Sequence, residues 1–167
     1  GYGFVQGVDA AAAAKGVKGV EVNYIYGGQF YGDGDITAVM DTWYSNGTEL
    51  VFACGGGIFT SAAEAAQKVN GKVIGIDTLT DVIVNGNWAN YAGKIETLGL
   101  VSDTDPSANY VQLPLETTQW EDGKFTVEDY TALVADMFNG KVKVSNDTTV
   151  EPTVSNISVN YLGNIKG

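Results

Sequence analysis

Apolar and polar positions along the chain follow two periods. Val20–Tyr26 (VEVNYIY) puts an apolar or aromatic side chain at nearly every second position, the pattern of a strand with one covered face. Residues 49–54 (ELVFAC) and 72–77 (KVIGID) are short, nearly continuous apolar runs, which suits strands covered on both faces. Between these runs Ile36, Val39, Met40, Trp43 and Tyr44 recur at helical spacing, with Asp35 as the expected cap and Asn46-Gly47 as the stop. Thr60 or Ser61 with Glu64 has the spacing of a capping box for a helix running to Val69, ended by Asn70-Gly71. Residues 4–16 hold an alanine run and are read as a helix stopped by Gly16. Helix, strand, helix, strand, helix, strand is the order of an α/β fold, a parallel sheet flanked by helices.

The second half is less regular. Residues 79–91 are expected to be helical, and residues 110–115 (YVQLPL) form a strand candidate that Pro114 confines to an edge or an end. Residues 126–138 carry the clearest helical stripe, Val127, Tyr130, Leu133, Val134, Met137 and Phe138, with Thr126 as cap and Gly140 as stop. The tail from 141 to 167 alternates weakly. No internal repeat, linker or boundary is visible, so residues 1–167 are read as a single domain.

Composition narrows the chemistry. The 167 residues are 44% hydrophobic and 17% charged, enough apolar material for a packed core. All nine cations are Lys; with no His and no Arg there is no imidazole base, no His metal ligand and no bidentate phosphate fork. The net charge of −11 repels polyanions, so nucleic acid and anionic lipid surfaces are poor partners. A single cysteine, Cys54, allows no internal disulfide. At the end of an apolar run and without a neighbouring base, it is expected to be a small buried hydrophobe. No apolar run has the length of a membrane span. The opening Gly1-Tyr2-Gly3-Phe4 lacks the marks of a signal peptide and is expected to come from the interior of a longer protein.

Candidate chemistry sits where strands should end. Cys54-Gly55-Gly56-Gly57-Ile58-Phe59-Thr60 lies between a predicted strand and a predicted helix, the place where parallel α/β sheets hold ligands. Glycines there admit a ligand close to the main chain, and the following helix offers free N–H donors. The dinucleotide fingerprint would need a third glycine at position 60, which is Thr60. The turn therefore reads either as tight geometry alone or as contact to a polar ligand. Asp77 ends the third apolar run and can accept two hydrogen bonds from a sugar diol, or cap the segment that follows. Tyr2 and Phe59 flank strand-end loops and are candidates to stack on a base, whereas Trp43 belongs to the core stripe. Gly32-Asp33-Gly34-Asp35 with Asp41 lacks the acid that an EF-hand would place at position 44 and reads as a solvated loop with a helix cap. The sequons at Asn46, Asn146 and Asn156 are short enough to arise by chance.

Several stretches, in order, resemble one family. They are Gly1-Tyr2-Gly3-Phe4-Val5-Gln6-Gly7-Val8, residues 47–57 (GTELVFACGGG), Glu64-Ala65-Ala66, residues 72–77 (KVIGID) and residues 161–166 (YLGNIK). Together they resemble the basic membrane protein family, substrate-binding lipoproteins of ABC transporters similar to purine nucleoside receptors. The resemblance implies one lobe of a type I periplasmic-binding fold, the C-terminal lobe of a two-lobe receptor with a hinge. It implies a nucleoside ligand in the interlobe cleft, glycine contacts at Gly55, Gly56 and Gly57, ribose contacts at Asp77, and a base-stacking aromatic at Tyr2 or Phe4. It also implies an ABC permease as partner, an extracytoplasmic location, a lipid anchor outside this chain, and no cofactor or catalysis. The family's Asp-Gln turn after the aspartate is replaced by Thr78-Leu79-Thr80, as a deletion after Asp77 would leave. Two other classes stay open: an α/β enzyme holding a nucleotide cofactor at the same turn, and an isolated lobe that pairs with a second copy of itself.

Overall fold

The structure is a computed structural model and describes residues 1–75, 100, 102–109, 111–116, 118–121 and 123–167. It is a mixed α/β chain in two compact units, Gly1–Ile76 with Val144–Gly167, and Asp77–Lys143.

In the first unit, α1 spans Tyr2–Lys15 and ends on Gly16, whose φ of 64° is the left-handed conformation that glycine adopts without a Cβ penalty. Strand β1, Val20–Tyr26, keeps the alternation read from its sequence, with Val20, Val22 and Tyr24 half-buried and Glu21 and Asn23 in solvent or partly so. Helix α2, Gly34–Ser45, is capped two residues before the expected position. Asp33, not Asp35, is the N-cap: its Oδ1 accepts from the Ile36 N–H at 3.0 Å, while Asp35 lies in the first turn. Ile36, Met40 and Tyr44, one turn apart, are the buried stripe; Val39 and Trp43 pack along its flank.

Strand β2 is Leu50–Phe52 and β3 is Lys72–Ile74, paired in parallel with Val51 opposite Val73. Between them runs α3, Phe59–Val69. The capping box expected at Thr60 or Ser61 is not formed. The helix starts at Phe59 with Ile58 as N-cap, which puts Thr60 and Ser61 inside its first turn, where Thr60 Oγ1 donates to Gly57 O at 2.9 Å and Ser61 Oγ to Asp33 O at 3.0 Å. Ala62, Ala65 and Ala66 are buried on α3 and let it pack closely on α2. Strand β4, Ile157–Asn164, returns parallel to β1, with Val22 opposite Val159 and Tyr24 opposite Tyr161. The Asp9 carboxylate on α1 fixes the entry to β4, accepting from Ser155 N at 2.9 Å and Asn156 N at 2.7 Å. These main-chain donors hold its pKa below the usual carboxylate range.

The second unit is built around α4, Val127–Phe138, which starts with a formed capping box between Thr126 and Asp129. Tyr130 and Val134 are buried with Leu100 against Leu113, Leu115, Trp120, Phe125 and Met137, while Leu133 and Phe138 of the sequence stripe stay exposed. The strand expected over 110–115 is not formed over its described residues, 111–115. Side chains take the main-chain groups there: Leu113 N donates to Tyr130 Oη at 2.8 Å, and Trp120 Nε1 donates to Leu115 O at 3.1 Å. A short 3₁₀ turn, Pro106–Ala108, is capped by Asp105. The helix expected over 79–91 lies outside the described residues.

Candidate ligand-binding site

Strand β2 reaches its carboxyl end at Phe52, and one more hydrogen bond, Ala53 N to Ile74 O at 2.9 Å, ties it to β3 before the glycine turn. The segment after β1 meets this turn through a parallel bridge between Tyr31 and Gly57. The ends of β1 and β2, which belong to separate two-stranded sheets among the described residues, are thereby brought side by side.

The three glycines do different work. None has φ in the left-handed region, so space rather than torsion requires them. A Cβ on Gly55 would come within 3.1 Å of Ile58 Cγ2 and 3.4 Å of Phe30 Cδ1, and one on Gly57 within 3.4 Å of Phe30 O. Gly55 is buried, and Ile58 and Phe30 fill the space beside it, whereas Gly57 is exposed and meets the β1–α2 loop at ordinary contact distance. Gly56 is exposed as well, and the nearest atom to a Cβ there is Phe30 O at 4.0 Å. Main chain open to a ligand is thus found at Gly56 and Gly57, with Gly56 the less crowded of the two.

Cys54 is exposed rather than buried, with its Sγ 3.4 Å from the Gly1 amino group. The apolar run ends at Ala53, and the chain has already turned outward at 54.

The aromatic candidates separate. Phe4 stacks on Phe52 with ring centres 4.8 Å apart and planes 25° from parallel, so one of its faces is used by β2. Tyr2 joins a tyrosine cluster, 5.5 Å from Tyr24 and 6.4 Å from Tyr161, and Tyr26 Oη donates to its hydroxyl at 3.5 Å. That contact pushes the Tyr2 pKa up to about 12. The Tyr161 hydroxyl is buried with no hydrogen-bond partner among the described residues, and burial pushes its pKa up. Phe59 opens α3, packs on the core and sits beneath Gly75, where a Cβ would lie 3.7 Å from Phe59 Cβ. Asp77 lies outside the described residues.

Sequence reasoning missed Phe30 and Tyr31. They are 77% and 65% exposed on the β1–α2 loop, directly against the glycine turn. The available signal was an adjacent aromatic pair in a glycine-rich loop, where no periodic pattern would bury it. The loop is tied down by Gln29, whose Nε2 donates to Tyr31 O at 2.9 Å and Asp33 Oδ2 at 2.8 Å. Lys166 donates to Gln29 Oε1 at 2.8 Å and forms an ion pair with Asp33. That ammonium, followed by the Ile36 N–H, lowers the Asp33 pKa to about 2.

Chemically, the edge offers bare main chain, two exposed aromatic faces and several hydroxyls. That set can stack a planar ring and hydrogen-bond a polar one. Surface depressions also lie elsewhere, one beside Gln6, Ser145 and Glu151, another along α4 near Val127 and Thr131. Among the described residues, no group of His, Cys, Asp and Glu is arranged to hold a metal ion. Comparison with protein-family models, with curated proteins and with solved structures gave no match for the chain.

Proposed function

We propose that this chain is the C-terminal lobe of an extracytoplasmic substrate-binding lipoprotein of the basic membrane protein family, with a type I periplasmic-binding fold. It binds a purine nucleoside or similar ribose-bearing ligand and delivers it to an ABC permease, without catalysis. The observation that carries the reading is the strand-end edge where exposed Gly56 lies beside exposed Phe30 and Tyr31. Aromatic faces there suit a nucleobase, and a glycine main chain suits close approach of a sugar. The ordered motifs from Gly1 to residue 77 agree with it. Asp77 enters from the sequence alone, as the carboxylate that would accept from ribose hydroxyls.

Calorimetry with adenosine, guanosine, inosine and uridine tests this. Saturable one-to-one binding of a purine nucleoside is expected, in the chain or in the longer receptor that contains it. Asp77→Ala should weaken it by about tenfold or more, as loss of charge-assisted hydrogen bonds would. No heat and no melting shift with any nucleoside would overturn the proposal, and unchanged affinity in Asp77→Ala would remove that residue's role.

A further inference from the structure

The β1–α2 loop presents large aromatic side chains to solvent yet is closely tied on two sides. On one side it rests against the glycine turn and the start of α3. Tyr31 bridges Gly57, Ser61 Oγ donates to Asp33 O at 3.0 Å, and a Cβ on Gly32 would collide with the Thr60 and Ser61 hydroxyls. On the other side it is held by the segment that follows β4. Ile165 N donates to Tyr26 O at 2.9 Å, which sets Lys166 beside the loop. The Lys166 ammonium then spans Gln29 Oε1 at 2.8 Å and the Asp33 carboxylate. Gln29 completes the bracket by donating to Tyr31 O, so Phe30 and Tyr31 stand between points fixed from both directions.

Holding exposed aromatic side chains in place costs conformational entropy and buries little apolar surface. A bracket of this kind is what a preorganised contact surface needs, because a ligand then does not have to order the loop on binding. We propose that Lys166 is a positioning residue: through Gln29 and Asp33 it holds the loop in the conformation that presents Phe30 and Tyr31 to the ligand. The inference rests on the reading of this edge as a nucleoside site. Lys166 itself need not touch the ligand.

The test compares the full chain with Lys166→Met and Lys166→Arg by two independent readouts. One is amide hydrogen exchange over residues 27–33. The other is calorimetric affinity for adenosine, guanosine and inosine. Lys166→Met should speed exchange in this loop by about threefold or more, the loss expected on opening a partly exposed charged tie, and leave exchange in α2 and α3 at the wild-type level. It should weaken nucleoside binding in parallel, and Lys166→Arg should restore both. Loop exchange unchanged in Lys166→Met would overturn the bracket, whatever the affinity does. Faster exchange with wild-type affinity would overturn the positioning role. Faster exchange throughout the unit would make Lys166 a general stability residue and overturn the proposal as well. If the wild type binds none of the three nucleosides while Lys166→Met still loosens the loop, the nucleoside reading fails and Lys166 loses its role toward that ligand.

Discussion

Alanine at position 56 separates a ligand-contact role from a folding role. A Cβ there finds only Phe30 O, at 4.0 Å, and the position is not in the left-handed region, so the fold accepts a methyl group without strain. Fewer accessible states in the unfolded chain should even stabilise the variant by about 0.4–1 kcal/mol. Buried Gly55 lacks this freedom, since a Cβ there would stand 3.1 Å from Ile58 Cγ2. A nucleoside lying on the Gly56 main chain would meet the methyl directly. An extra methyl in a close-packed contact costs about 1–3 kcal/mol. At about 1.4 kcal/mol per factor of ten, affinity should fall by about fivefold or more. Calorimetry with a purine nucleoside and a thermal melt, run on the same preparations, provide the measurement. Gly56→Ala binding as tightly as the wild type would refute the contact. A melting midpoint well below wild type would show instead that this glycine, like Gly55, serves the fold.

Two further outcomes follow from the packing and the charges. Gly71→Ala should destabilise the protein by about 1–3 kcal/mol, because the new Cβ would stand 2.5 Å from the Tyr44 Cε1 atom of a buried ring whose hydroxyl is already fixed to Lys72 O at 2.6 Å. Thermal denaturation should show the loss, at about 2–4 °C per kcal/mol for a chain of this size, and Tyr44→Leu should abolish the effect if the ring is the obstacle. The Asp33 carboxyl has a folded pKa of about 2 against an ordinary 3.8, so its contribution is fully present above the higher value and is lost as pH falls toward the lower. Asp33→Asn keeps an acceptor for the Ile36 N–H and removes the charge. Its acid unfolding, followed by circular dichroism, should therefore depend less steeply on pH between these two values, and an unchanged profile would exclude the ion pair as a source of acid sensitivity.

Elements governed by local chemistry were legible before any coordinates. The alanine run of α1, the alternation in β1, the Ile36–Met40–Tyr44 stripe and the Thr126 cap each depend on neighbours within a turn or two. Sequence reasoning failed where a helix began earlier than its cap signal, or where a partner distant in the chain took a main-chain group. Helix α2 is capped by Asp33 rather than Asp35, and α3 starts at Phe59, ahead of Thr60 and Ser61. The run at 110–115 reads as a strand, yet the Tyr130 hydroxyl takes a main-chain donor at Leu113. Cys54 continues the apolar pattern of β2 but follows the residue at which the strand pairing ends. The same division applies to the site. The glycine turn was visible as a motif, while the exposure of Phe30 and Tyr31 depends on how the β1–α2 loop lies against that turn.

That loop also changes what the glycine motif means. Read alone, three consecutive glycines suggest three equivalent points of approach for a ligand. In the fold, Gly55 is buried against Ile58 and Phe30, so the bare backbone facing outward shrinks to Gly56 and Gly57 and gains an aromatic border from Phe30 and Tyr31. The border is in turn continuous with the start of α2, because Asp33 caps that helix, accepts from Gln29 and pairs with Lys166. Helix cap, loop, turn and the segment after β4 thus share atoms, and displacing one of them moves the aromatic faces relative to Gly56. On the nucleoside reading proposed above, a surface assembled this way would recognise its ligand by the fixed spacing between a ring face and a stretch of main chain. It would therefore select for a planar base held at a set distance from a sugar more strongly than for either part alone.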